Sequence, residues 1–368
     1  DLGPDLARMT DIAELQQWQD LCFDGDERVR LCRERLALLE NWYLRVGRSG
    51  DFNAAVMNSA RIIAATCVGI AGTRGVENVE FDLCIVDEAS KATATEILVP
   101  LSRSHRWIIV GDPKQLPPFF EEFGEELIEK FDEKSEIRAT VLDRMIAPEK
   151  GLPKGCRAEL KIQRRMIEPI GNLVSDCFYD GTLQSPIKSH GLKLTPEIEA
   201  SITWYTTSKE HRRFERPVRN TFENLLEVEW ARAVLNRLEG AARRQAKQIN
   251  VAVIAGYSAQ VQRLSEMTER NASDWPSLQI VCNTVDAFQG KQADVCIYSV
   301  TLSNRRGKLR FLKEKPRLNV ALSRARSALI LIGDHHFCRT AKGFNPFRPV
   351  IEWVESHSNV CHLGSLRP

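Results

Sequence analysis

Phe81-Asp82-Leu83-Cys84-Ile85-Val86-Asp87-Glu88-Ala89-Ser90 and His105-Arg106-Trp107-Ile108-Ile109-Val110-Gly111-Asp112-Pro113-Lys114-Gln115-Leu116-Pro117-Pro118 decide the fold. Each is a short apolar, β-branched run that stops in polar or turn-forming residues, as a buried strand does. The segment 91–102 between them has helix length. Strand, helix, strand in that order argues for parallel pairing. The run 60–72, ARIIAATCVGIAG, has the same texture and reads as a further strand.

Downstream, APEKGLPKGCRA at about 147–158 is rich in Pro, Gly and Lys and marks a domain boundary. A second alternating set follows it. SITWYTT, INVAVIAGY, LQIVCNTV, DVCIYSVTL and SALILIGD read as strands, with helices near 221–238, 258–270, 316–324 and 347–357. Upstream, Leu15, Leu21, Val29, Leu31, Leu36, Leu38 and Leu39 recur at roughly helical spacing, and Gly47 and Gly50 break that region. The expected fold class is α/β, in three parts: a helical segment 1–58, a first α/β domain 59–150 and a second 157–368.

The 368 residues suffice for two or three domains. Lys plus Arg number 51 and Asp plus Glu 49, so a nucleic-acid surface would have to come from local clustering of charge. Ten cysteines form no CxxC pair, which argues against a zinc ribbon or a redox dithiol. Several lie in apolar runs, as buried thiols of an intracellular protein do. No run is long enough to span a bilayer, so no membrane partner is expected. His105, His335 and His336 lack metal-ligand partners at useful spacing and read as structural.

Asp87 and Glu88 close a strand at the edge where ligands collect in open parallel sheets. One carboxylate could hold a hard cation such as Mg²⁺ while the next deprotonates water. A solvated acidic pair at a strand end is the plainer alternative. In the next loop, the rigid prolines fix a path for Gln115.

IVDEAS followed by IIVGDPKQLPP resembles motifs II and III of superfamily 1 helicases, in the branch of the nonsense-mediated-decay helicase and senataxin. The resemblance continues in order through IQRRM with CFYDGTLQS, then NTVDAFQGKQAD (motif V) and RLNVALSRAR (motif VI). ATCVGIAG matches a segment preceding motif II, so the likeness covers roughly 60–335. It implies two RecA-like P-loop NTPase domains, the first incomplete, behind an N-terminal helical stalk. It further implies ATP and Mg²⁺ as cofactors, and movement along single-stranded RNA or DNA, 5′ to 3′.

By that resemblance Asp87 binds Mg²⁺, Glu88 activates water and Gln115 senses the γ-phosphate. Arg165 reaches the γ-phosphate, and Arg324 is the arginine finger. Gly290 lies close to the phosphates, where a side chain would clash. Taken singly each has a plainer structural reading; Leu318 and Asn319, for example, read as helix packing.

Two positions depart from the family. Arg164 stands where a Tyr usually stacks on adenine, and a guanidinium plane can also stack. Gln292 stands where an acid often meets the ribose. No GxxxxGK[ST] phosphate loop occurs in the sequence. The expectation is a C-terminal core whose partner is a missing N-terminal part of the same protein, inactive alone. The alternative is a degenerate paralogue.

SNRRGKLRFLKEKPR at 303–317 holds seven basic residues and one acid. It reads as a flexible loop that tracks a phosphate backbone through Arg305, Arg306, Lys308 and Arg310. By resemblance Thr66 and Thr284 contact sugar-phosphate. HRRFERPVR at 211–219 reads as plain surface. The rival readings are a non-catalytic nucleic-acid clamp and a protein scaffold.

Overall fold

A computed structural model describes residues 27–46, 56–57, 59–73, 79–118 and 139–366. The expected helices over 1–26, with Leu15 and Leu21, and the breaks at Gly47 and Gly50 lie outside the described residues. The chain divides into two compact units. One holds 1–87 and 93–110; the other holds 88–92 and 111–368.

In the first unit, helix α1 (Glu27–Val46) buries Val29, Cys32 and Leu36, three and four residues apart on one face, while Leu38 points to solvent. Helix α2 (Gly69–Gly72) is a single turn. Strands β1 (Cys84–Val86) and β2 (Trp107–Ile109) pair in parallel, Cys84 opposite Trp107. Helix α3 (Ala94–Leu101) connects them, buries Ile97 and Leu101, and starts at a Thr93–Glu96 capping box. The strand expected over 60–72 is not formed. Residues 61–66 pair with no strand among the described residues, and Thr66 Oγ1 accepts the Gly69 amide at 3.0 Å, turning the chain into α2.

The second unit is built on a six-stranded, wholly parallel sheet. Its strands are β3 (Ile202–Thr206), β6 (Ile249–Ala255), β7 (Leu278–Thr284), β8 (Ala293–Ser299), β9 (Ala325–Gly333) and β10 (Cys361–Gly364), in the order β10-β3-β9-β8-β6-β7. The central strands are apolar on both faces because helices cover both. Trp204, Ile254, Tyr298 and Leu331 face helices α5 (Glu168–Phe178), α8 (Lys315–Leu322) and α10 (Phe347–Ser356). Tyr205, Val253, Ile297 and Ile330 face α6 (Leu225–Gln245) and α7 (Ser258–Arg270).

Smaller elements complete this unit: α4 (Val141–Ile146), an antiparallel hairpin of β4 (Arg216–Val218) and β5 (Thr221–Glu223), and α9 (His335–Thr340). The helix expected from 221 begins at 225, because Asn224 caps it by accepting the Glu227 amide. Burial pushes the Cys177 and Cys296 thiols up to about 12, which leaves them inert.

Candidate functional site

Glu88 follows Asp87 and is the second unit's first residue, in a left-handed conformation with φ 53° and ψ 36°. That is uncommon for a residue with a side chain and clusters at functional sites. Residues 89–91 form one tight turn, with Ala89 and Ser90 buried. Gly111 passes so close that a Cβ there would lie 2.9 Å from the Ser90 amide. Only glycine fits this approach.

The loop after Gly111 is held by a polar hub. Asp112 Oδ1 accepts the Lys114 amide at 2.9 Å. Its Oδ2 accepts Gln115 Nε2 at 2.9 Å and the Tyr179 hydroxyl at 2.5 Å. Asn319 Nδ2, on α8, donates to the Lys114 carbonyl and to Tyr179 Oη, each at 2.9 Å. Burial and the Asp112 carboxylate push the Tyr179 hydroxyl far up, so it stays protonated and donates. The Gln115 amide is thus fixed at its nitrogen end, while its Oε1 is buried without a partner. An orphaned buried acceptor marks a place for a donor such as water or a hydroxyl.

Two arginines face the same region. Gln163 Oε1 accepts the amides of Arg165 and Met166 at 2.9 and 2.8 Å, which sets the Arg165 backbone. Arg165 Nη1 donates to the Ser323 carbonyl at 3.3 Å. Arg324 is only 1% exposed, between the end of α8 and the start of β9. Its Nε donates to the Val320 carbonyl at 2.9 Å, Nη1 to the Lys291 carbonyl at 3.2 Å and Nη2 to Ser323 Oγ at 2.9 Å. Neither guanidinium has a carboxylate within 4 Å among the described residues.

Desolvation lowers the pKa of both arginines. It is the first cause for Arg165, opposed by the charge of Glu88. For Arg324 burial, then the neighbouring Arg165, brings it down to about 10. Both remain cationic at neutral pH. Two desolvated cations placed together, held by neutral groups, are a receptor for a compact anion.

Gln289 was not foreseen. Its Nε2 donates to Glu88 Oε2 at 3.3 Å, and its Oε1 is buried without a partner. Gly290 follows at φ 77°, with open space where a Cβ would point. Only glycine adopts that φ readily, and a ligand can approach the bare backbone. Asp112 and Tyr179 likewise carry no assignment from sequence, and Asn319 reads there only as helix packing. Spacing alone carried no sign of them, since the hub joins positions 67 and 140 residues apart.

The second unit therefore brings together Glu88, Gln115, Arg165 and Arg324. Arg164 and Gln292 are exposed, and Asp87, at the end of β1, and Thr66 belong to the first unit. Thr284 ends β7, and its Oγ1 accepts the Ala287 amide at 3.3 Å. Arg305, Arg306, Lys308 and Arg310 are exposed. Their segment is not the loose loop expected: Leu309 and Leu312 are buried, and 310–313 forms a helical turn that runs into α8.

No group of three or more His, Cys, Asp or Glu is gathered for a metal among the described residues. A Mg²⁺ that arrives with phosphates needs only one or two carboxylates. The exposed carboxylate of Asp87, a hard oxygen donor beside Glu88 in the chain, fits that demand.

Comparison with known proteins agrees with the motif order. One AAA domain family matches residues 137–336 and another matches 24–121. The chain belongs to the superfamily 1 helicases, in the nonsense-mediated-decay helicase branch. This helicase chain is 27% identical over 350 residues to the uncharacterized ATP-dependent helicase MJ0104 of Methanocaldococcus jannaschii, covering 88% of this chain and 48% of the relative. It is 26% identical over 365 residues to DNA polymerase alpha-associated DNA helicase A of Schizosaccharomyces pombe, covering 94% and 51%. To the regulator of nonsense transcripts 1 homolog of Drosophila melanogaster it is 28% identical over 288 residues, covering 76% and 23%. The helicase chain thus spans about half the length of the first two relatives. No helix among its described residues is long and apolar enough to cross a membrane.

Proposed function

We propose that the chain is the C-terminal core of an intracellular, ATP-dependent helicase or translocase that hydrolyses ATP while moving 5′ to 3′ along single-stranded RNA or DNA. The gathering of Glu88, Gln115 and Gln289 with two partly desolvated guanidiniums, the half-buried Arg165 and the buried Arg324, carries this reading.

Glu88 accepts the proton of the attacking water. Gln289 holds the Glu88 carboxylate through Nε2 and offers Oε1 to that water. Gln115 offers Oε1 from the other loop. Arg165 and Arg324 neutralise charge spreading over the transferred phosphoryl oxygens. An arginine in that role is worth about 10³–10⁵ in rate, roughly 4–7 kcal/mol of barrier. Its effect is large because the cation is already desolvated and positioned before the charge develops.

Asp87 would hold Mg²⁺, which supplies charge neutralisation on the phosphates. Arg164 and Gln292 would meet the base and ribose, and the bare backbone of Gly290 the phosphates. Thr66, Thr284 and the cations of 305–310 would meet the nucleic acid. The sequence contains no phosphate-cradling loop. Another part of the polypeptide would supply it, and the 368 residues alone would turn over ATP negligibly.

The test is ATP hydrolysis by the whole protein with and without a single-stranded oligonucleotide. Turnover that the oligonucleotide stimulates, and that Glu88→Gln abolishes, supports the reading. A protein with an intact phosphate loop and no such turnover overturns it.

A further inference from the structure

We propose that the β4–β5 hairpin and the segment 303–317 form one continuous binding surface for single-stranded nucleic acid, on which guanidinium groups alternate with aromatic rings. It rests on the helicase reading and adds to it a second wall, 211–223, which the sequence presents as plain surface.

The two basic stretches lie far apart in the chain and are fastened together. The Ser303 amide donates to Glu215 Oε2 at 2.8 Å. Asn224 Nδ2 donates to the Arg213 carbonyl at 2.8 Å and to the Thr301 carbonyl at 3.1 Å. Between the stretches runs a file of rings. Phe222 meets Tyr257 edge-on at 5.4 Å between centroids, and Tyr257 meets Phe311 at 6.0 Å. Guanidinium groups lie over the rings: Arg310 at 4.7 Å from Phe222, Arg317 at 3.4 Å from Phe311, and Arg213 and Arg305 at 4.4 and 5.5 Å from Phe214. A concavity of about 300 Å³ opens beside the hairpin, lined by His211, Phe214 and Arg216 among others.

Charge decides what this surface takes. Arg317 and Arg213 are neutralised by Asp286 and Asp334 and act as anchors. The exposed cations Arg216, Arg219, Arg305, Arg306, Lys308 and Arg310 form no ion pair among the described residues. Cations clustered without acids repel one another until a polyanion or counterions neutralise them. The exposed Phe311, the half-buried Phe214 and Phe222 and the flat guanidinium planes over them offer stacking faces, with the buried Tyr257 packed behind, and only unpaired bases present a face to stack. A duplex buries its base faces, so the combination selects a single strand.

The 368-residue chain is titrated with labelled oligothymidylate, oligouridylate and a blunt DNA duplex across a salt series. The double substitution Arg216→Ala with Arg219→Ala should weaken both single strands and reduce the slope of log affinity against log salt by about 1.4, or ~0.7 for each phosphate left without its arginine. The pair Arg216→Lys with Arg219→Lys should retain the slope. Phe214→Leu should weaken binding about tenfold with the slope unchanged, since stacking carries no counterion release. Melting temperature checks that each variant folds. Tighter binding of one oligonucleotide identifies RNA or DNA as the strand, and either supports the surface.

A wild-type chain that binds single strands, with slope and affinity unmoved by the hairpin substitutions, overturns this proposal and leaves the helicase reading intact. Equal affinity for the duplex overturns the stacking component. A wild-type chain that binds neither single strand overturns both proposals.

Discussion

Arg324 and Arg310 carry the same guanidinium in opposite settings. Arg324 is enclosed, with Nε, Nη1 and Nη2 spent on two carbonyls and a hydroxyl and its pKa brought down to about 10. Arg310 is exposed and rests on the face of Phe222. A cation stripped of water and fixed by neutral groups has its geometry set before any ligand arrives, so it suits one charge at one point. A cation left in water can follow a moving chain of phosphates, and salt screens it. On the function proposed above, burial is what separates an arginine of the reaction centre from one of the track, and composition alone does not.

Substitution at either place breaks or sharpens this contrast. The largest effect is expected for Arg324→Ala in the whole protein, which should lower ATP turnover about 10³–10⁵-fold with oligonucleotide affinity nearly unchanged. If only the melting temperature moved, Arg324 would be scaffolding and the contrast would fail. Next, Glu88→Gln should keep nucleotide binding and cut turnover about 10²–10⁴-fold, read by equilibrium binding beside steady-state kinetics. Gln289→Ala should lower kcat about 10–100-fold with KM little altered, the worth of one hydrogen bond to a charged group. A rise in KM alone would make Gln289 a nucleotide contact instead of an orienting group.

The smallest effect lies away from both arginine sites. Desolvation raises the fully buried carboxyl of Glu227 to about 8, against the donors Ser299 Oγ and the Thr301 amide. The folded state therefore binds a proton that the unfolded chain releases near pH 4.5. This group's contribution to stability falls as pH rises from about 4.5 to about 8. Melting curves of Glu227→Gln should be flatter than wild type across that window. Parallel curves would show that Glu227 holds no such proton.

The second unit was the more legible. Its central strands are apolar on both faces, and each forms where its run occurs; α7 spans the expected 258–270. The run 60–72 misled because β-branched texture does not supply a pairing partner. The hairpin 216–223 was missed because Arg216, Pro217 and Arg219 hide its alternation. In the site, Glu88, Gln115, Arg165 and Arg324 could be read from motif order. The hub of Asp112, Tyr179 and Asn319 could not, because long-range hydrogen bonds create it. Asn319, taken for helix packing, proves to be buried with its amide in that hub.

Asn224 has a consequence of its own. Its Oδ1 starts α6, while its Nδ2 faces the carbonyls of Arg213 and Thr301 and the carboxyl of Glu227. The two backbone carbonyls on that side can only accept, so the position demands an amide and refuses its isostere. Aspartate would begin the helix equally well and yet turn oxygen against oxygen at both carbonyls, prising the two basic walls apart.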